Sequence, residues 1–262
     1  MPKENIFQKA KGHQEIKGRD AIDTSEKRYE KIGNAFALIT KEISDLSVPE
    51  KTLEDWGLVS SFSHTIDDKL DKIIDPAERL ELSKKIISSL KGDMGDFSSD
   101  KKLEQSMLSL KNLSANLPEV QRQSLIDSLA SILKITEKLK NEENPHNLVR
   151  LTRIEGQIAA RLYMPFFTEE FRMSEKYPKI LHALTRLSRA GNSFDDFTDL
   201  PDDYKNGEIK VHPTVLNRLL FLGAALSDGL SMLKDVGFSK KIIKRCLQAR
   251  RSVVEDAPSK QK

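Results

Sequence analysis

The apolar residues of this chain recur every three or four positions and almost nowhere every second one. That spacing draws a continuous apolar stripe along a helix of 3.6 residues per turn, and it gives a β-strand no face to bury. Between residues 24 and 46 the stripe is Ile32, Phe36, Leu38, Ile39, Ile43 and Leu46. Between 51 and 75 it is Leu53, Trp56, Leu58, Val59, Phe62, Ile66, Leu70 and Ile74. The same spacing predicts helices over 77–91, 101–114, 118–141, 146–166, 176–200, 213–235 and 239–254. Punctuation falls where these end: Val48-Pro49-Glu50, Asp75-Pro76, Gly92, Pro118, Asn144-Pro145 and Pro201. No internal repeat and no glycine-rich phosphate loop interrupts the pattern. The expectation is one all-α bundle over 24–255 with a central cavity, after a loose basic segment 1–23 and before a short disordered tail at 256–262.

Charge narrows the function. Lysine and arginine number 43 and aspartate and glutamate 40, a net charge of +3. A balance so close to neutral lacks the concentrated basic face of a nucleic-acid binder. The longest apolar run, "VLNRLLFLGAAL", is interrupted by Asn217 and Arg218 and falls short of the roughly 18 residues of a membrane span. The first twenty residues hold no apolar stretch, so a secretory leader is not expected. Cys246 is the single cysteine and has no disulfide partner in the chain, which fits a cytoplasmic protein. In the basic segment 239–254, Ile242, Ile243 and Leu247 oppose Lys240, Lys241, Lys244 and Arg245. Such a helix either packs its apolar side on the domain or makes peripheral contact with an anionic membrane.

The acids are segregated. "FSHTIDDKLDKIID" carries Asp67, Asp68, Asp71 and Asp75, and "FDDFTDLPDDYKNGE" carries Asp195, Asp196, Asp199, Asp202 and Asp203. On a helix, Asp67 and Asp68 lie one turn from Asp71. Asp195, Asp199 and Asp203 at i, i+4 and i+8 drift only roughly 80° around the axis over about 12 Å. Like charges at this spacing destabilise a helix unless something positive offsets them. Mg²⁺, which takes carboxylate oxygens and commonly bridges to a substrate phosphate, is one candidate; Lys205, Arg189 or a plain solvated face is the other. Pro201 disfavours helical geometry at Leu200, so the helix is expected to kink or end there, with Asp203 less secure than Asp199.

With both acidic stretches in view, the chain resembles the class I isoprenoid synthases, and most closely the squalene/phytoene synthase family. "TIDDKLD" is similar to that family's first aspartate-rich motif and "DLPDDYKNGEIKVHP" to its second. "GNAFALITKEI" resembles its N-terminal helix, and "RLTRIEGQIAARLYMPFF" the helix beside the second motif, with Gly156 at the characteristic break. "AGNSFDDFTDLPD" is also similar to the wider prenyltransferase pattern through Gly191, Phe194, Asp199 and Asp202. The family's Ser-Arg-Ser stretch is Gly33-Asn34-Ala35 here, and His64 or a neighbour stands where an arginine precedes the first motif.

The resemblance implies Mg²⁺ held by Asp67, Asp68 and Asp71 on one side and Asp195, Asp199 and Asp203 on the other, around a prenyl diphosphate. Among these, Asp67, Asp71, Asp199 and Asp203 are the catalytic set. Arg150, Arg153 and Lys205 are the expected diphosphate contacts, with Arg161 a weaker one, and Phe36, Phe62, Ile154 and Phe194 the expected cavity wall. His64, one turn from Asp67 and Asp68, is within reach of a carboxylate. The leading reading is head-to-head condensation of two prenyl diphosphates. The alternatives are a terpene cyclase using a single diphosphate, and a non-catalytic relative serving in assembly or lipid binding.

Overall fold

The computed structural model describes residues 24–93 and 95–237, with side chains from residue 33 onward. The expected helix over 239–254 and both terminal segments lie outside the described residues. Within them the chain is helical throughout: α1 Thr24–Ser44, α2 Glu50–Asp71, α3 Pro76–Lys91, α4 Lys101–Ala115, α5 Glu119–Asn141, α6 Pro145–Arg161, a 3₁₀ turn Met164–Phe166, α7 Glu169–Met173, α8 Tyr177–Asn206 and α9 Val215–Val236. No strand occurs among the described residues.

The ends of these helices follow side-chain chemistry. Asp75 caps α3 by accepting from the Ala77 amide at 2.9 Å, with Pro76 in the first turn. Asp100 caps α4, Asn144 caps α6 and Thr214 caps α9 in the same way. Gly92 and Gly207 close α3 and α8 at φ 118° and 76°, a left-handed geometry that costs glycine little. The expected helix over 51–75 stops at Asp71, because Asp75 serves the next helix and Arg79 holds the break open. Its Nη1 donates to the carbonyls of Ile73 and Ile74 at 2.7 and 2.9 Å while its Nε meets Glu137 at 2.5 Å.

The core centres on Trp56, which has no exposed surface. Its indole Nε1 donates to the Tyr163 carbonyl at 2.9 Å, and its ring meets Phe36, Tyr163 and Phe167 edge-on. Ser60 and Tyr163 share a hydroxyl contact of 2.9 Å. The turn after α6 is thereby pinned to α2. A second, smaller apolar cluster joins Leu148, Leu200, Val211 and Phe221, with Phe197 and Ile209 against it. It ties the start of α6 to the end of α8 and the start of α9.

Two glycine and proline expectations are corrected. Helix α6 runs through Gly156 without a break. The glycine is needed for contact instead: a Cβ there would lie 2.8 Å from the Arg189 Cα and 2.9 Å from the Ser188 carbonyl oxygen, so α6 and α8 touch backbone to backbone. Helix α8 does not end at Pro201; it continues to Asn206. Proline removes the amide that the Phe197 carbonyl needs one turn earlier. Arg218 of α9 replaces it, its Nε donating to the Phe197 carbonyl at 3.0 Å and its guanidinium lying 4.9 Å over the Phe197 ring.

Candidate functional site: an acidic cleft between α2, α6 and α8

Helix α2 packs on α1 and α4, and α8 packs mainly on α6 and α9. The two acidic helices are thus not each other's packing partners, yet their carboxylates act on one another. Asp203 of α8 is affected by Asp71 of α2, and Asp67 of α2 by Glu208 just beyond α8. Glu155 of α6 is affected by both Asp67 and Asp71. The sequence therefore brings its two distant acidic stretches around one space.

Burial sets the protonation of this space and like charge adds to it. Asp67 is raised to about 7 by desolvation, then by the charge of Asp71, with Lys140 pulling the other way. Asp67 nevertheless presents surface to solvent. Both hold for a side chain crowded by protein atoms nearby and still open to water. Glu155 is raised to about 7 by burial and then by Asp67, although Thr136 Oγ1 donates to it at 3.0 Å and Asn192 Nδ2 at 3.3 Å. Asp196 reaches about 8 through burial, with Thr152 Oγ1 donating to it at 2.5 Å and Glu155, Asp195 and Asp199 repelling it. Asp203 reaches about 7 through burial and then Glu208, Asp196, Asp199 and Asp71. Four carboxylates pushed towards neutrality in one cleft form a site short of positive charge.

Positive charge does reach the α2 side. Lys140 Nζ lies 2.7 Å from Asp71 Oδ1, and Asp68 has Lys102 at 3.7 Å and His64 at 3.6 Å. The expected contact between His64 and a carboxylate is therefore present. On α8, Asp199 is exposed and accepts from Thr198 Oγ1 at 2.8 Å. Along α8 the acids that act on one another are Asp196, Asp199 and Asp203, at i, i+3 and i+7, with Glu155 reaching Asp196 from α6 and Asp71 reaching Asp203 from α2; Asp195 adds its charge to Asp196 from beside them. These three fall within roughly 60° of one helix face, which makes Asp196 a better member of the set than the even i+4 spacing suggests.

Other expected residues lie elsewhere. Arg153 is turned away from the cleft: it stands two positions from Glu155, about 200° around α6, and holds Asp228 of α9 with Nε and Nη2 at 2.7 and 3.1 Å. Arg150 and Lys205 are exposed on α6 and α8. Phe36 and Phe62 are packed in the main core at 1% exposure each, so they support the helices and line no open wall. Ile154 and Phe194 are half-buried, the latter 5.9 Å from the Phe197 ring. Two surface concavities, of about 580 and 540 Å³, lie away from the acids, one beside Leu90, Lys111 and Arg122 and one along α5 to Ile158 and Arg161.

Among the described residues, no three histidine, cysteine, aspartate or glutamate side chains converge closely enough to hold a metal ion by themselves. The donors are nonetheless hard carboxylate oxygens from facing walls, the set that suits Mg²⁺ when waters and a phosphate complete its coordination. Glu155, Asp196, Glu208 and Lys140 were not singled out by spacing. Glu155 carries one local signal, its place one residue before the glycine of close helix contact; Lys140 carries none. Comparison with protein-family models, with curated proteins and with solved structures gives no match.

Proposed function

We propose that this protein is an Mg²⁺-dependent enzyme of the class I isoprenoid synthase type that ionises a prenyl diphosphate, with squalene/phytoene-type condensation as the leading reaction. One observation carries the reading: carboxylates from α2, α6 and α8 raise one another's proton affinity around a shared cleft. A bound cation would relieve this mutual repulsion. The residues that would hold Mg²⁺ are Asp67, Asp68 and Asp71 on one wall and Asp196, Asp199 and Asp203 on the other, with Asp195 beside them. The chemistry a bound ion supplies is neutralisation of the diphosphate leaving group.

The remaining work falls to the chain itself. Thr152, Thr136 and Asn192 hold the Asp196 and Glu155 carboxyls in fixed orientation by donating to them. Lys140 holds Asp71 before ligand arrives. Lys205, exposed on α8, is the cation suited to diphosphate oxygens, whereas Arg150 stands about 140° around α6 from Glu155. Ile154, Phe194 and the neighbouring Phe197 offer apolar surface for a prenyl chain.

A thermal-shift titration with pyrophosphate, with and without Mg²⁺, tests this on wild type and Asp199→Ala. Ligand that binds only the folded state raises its apparent stability. The expected result is an Mg²⁺-dependent increment in the pyrophosphate shift that is lost in the variant. No shift in the wild type at millimolar ligand overturns the reading.

A second reading has its own support. The Lys140–Asp71 contact and the cations at Asp68 supply internal counter-charge. With these in place, a non-catalytic relative keeps the cleft without metal. The same titration separates the two.

A further inference from the structure

On the side of α6 opposite the acidic cleft, three arginines converge on one aspartate. Asp228 of α9 has no exposed surface. Its Oδ2 lies 2.7 Å from Arg153 Nε and its Oδ1 2.6 Å from Arg186 Nη1. Arg189, one turn beyond Arg186 on α8, brings its Nε to 3.2 Å from Oδ2. The guanidinium side chains keep 31%, 26% and 18% of their surface exposed, so the carboxylate is sealed and the arginines are not.

One arginine neutralises one buried aspartate, and two can be needed to fill its lone pairs. The third, Arg189, reaches only the remaining site on Oδ2, at 3.2 Å. Arg189 Nε is buried and lacks a hydrogen bond, because its approach to Asp228 is close but poorly aligned. Its burial and the repulsion of Arg153 and Arg186 both weaken its hold on the proton, with Asp228 opposing them. Three positive charges therefore meet one negative, and the two in excess sit on side chains that keep part of their surface in solvent. If the cluster existed only to staple these helices, Arg189 would add desolvation and repulsion for one poorly aligned contact.

We infer that the Arg153–Arg186–Arg189 cluster is an oxyanion site that takes a phosphate group as the second counter-ion beside Asp228. Planar guanidiniums present paired N–H donors that match the oxygens of phosphate. The ligand is a phosphate dianion, either free or as the terminal group of a small phosphomonoester. The site differs chemically from the acidic cleft: it needs no metal, and Arg153, its member on α6, stands about 200° around that helix from Glu155.

The test is calorimetric titration of the full chain in EDTA with inorganic phosphate, and in parallel with glycerol 3-phosphate, at constant ionic strength set with chloride. Saturable binding of either is expected, and the tighter of the two identifies the source. Arg189→Gln is expected to weaken it at least about tenfold, as loss of a charge-assisted contact does, while its Mg²⁺-dependent pyrophosphate shift stays intact. Asp228→Asn, which leaves the three arginines without their internal anion, is expected to bind tighter than wild type. Arg186→Gln decides the matter if Asp228→Asn fails to fold. Absence of saturable binding of both ligands up to about 20 mM overturns the inference. So does Arg189→Gln binding as well as wild type.

Discussion

Gly156 shows how a single residue sets the distance between two walls of the cleft. The α6 and α8 backbones meet there, with only hydrogen in the space where a Cβ would lie 2.8 Å from the Arg189 Cα. The obstacle is backbone, which cannot swing aside. Gly156→Ala gains helix propensity, worth up to about 1 kcal/mol, but must push the helices apart at an overpacking cost of typically 1–3 kcal/mol. The expected net is a lower midpoint in urea denaturation, together with a weaker pyrophosphate response because Thr152 and Glu155 retreat from Asp196 and Asn192. An unchanged midpoint would mean that the contact is loose. The sequence marks this glycine as special without saying how: a glycine in a helix reads equally well as a break or as a point of contact. Arg153 is harder still. Its partner Asp228 lies 75 residues away, and nothing local distinguishes an arginine held by a buried aspartate from one aimed at a phosphate.

At the scale of the element, α8 is the instructive case. Local rules place a stop near Pro201, and the helix runs on because Arg218 satisfies the carbonyl that proline leaves bare. No local rule contains that partner, since it comes from the following helix. The consequence for the site is direct: the turn after Pro201 carries Asp203. Arg218→Met keeps the aliphatic contact with Phe197 and removes the donor. An unpaired buried carbonyl costs about 1–3 kcal/mol, and the expected outcome is faster amide exchange from residue 201 onward, measured by hydrogen–deuterium exchange, with α6 unaffected. Equal exchange in both proteins would show that the helix holds without Arg218.

Helix α9 makes a different point. Its charged residues between Val215 and Met232 are Arg218 and Asp228, and both turn inward. Outward it shows Leu216, Leu219, Leu226 and Leu230, each at least half exposed. The apolar run noted in the sequence is thus apolar on both faces, and only one is used inside the described fold. Leu226→Lys with Leu230→Lys should change the unfolding free energy by less than about 0.5 kcal/mol each, as exposed substitutions do. A large loss in thermal denaturation would show that these leucines are covered in solution.

The whole molecule gathers four acids with raised proton affinity, and its stability must carry their signature. Unfolded aspartate and glutamate titrate near 4, whereas Asp67, Glu155 and Asp203 titrate at about 7 and Asp196 at about 8 in the folded protein. Between these values the folded chain holds protons that the unfolded chain has released. Raising the pH through 7 to 8 strips them and forces like charges together, so the stability these groups contribute is full below about pH 4 and is lost as pH rises through their folded values. Asp96, Asp100 and Asp228 are shifted the other way, by hydrogen bonds to Ser98 for Asp96, by Lys69 for Asp100 and by Arg153 and Arg186 against burial for Asp228. Their contribution is lost at the acid end instead, as pH falls through their lowered values. The melting temperature in EDTA should therefore fall between pH 5 and pH 8 and not rise as in an ordinary carboxylate-paired protein. If the acids serve to bind cation, Mg²⁺ with pyrophosphate should restore most of the loss at pH 8 and add little at pH 5, where protons already occupy the site. Lys140→Met should steepen the fall, because it removes the cation that holds Asp71 and lowers Asp67. A flat profile from pH 5 to 8 in both proteins would mean that the cleft is wet enough to screen its own charge, and the electrostatic case for a cation site would go with it.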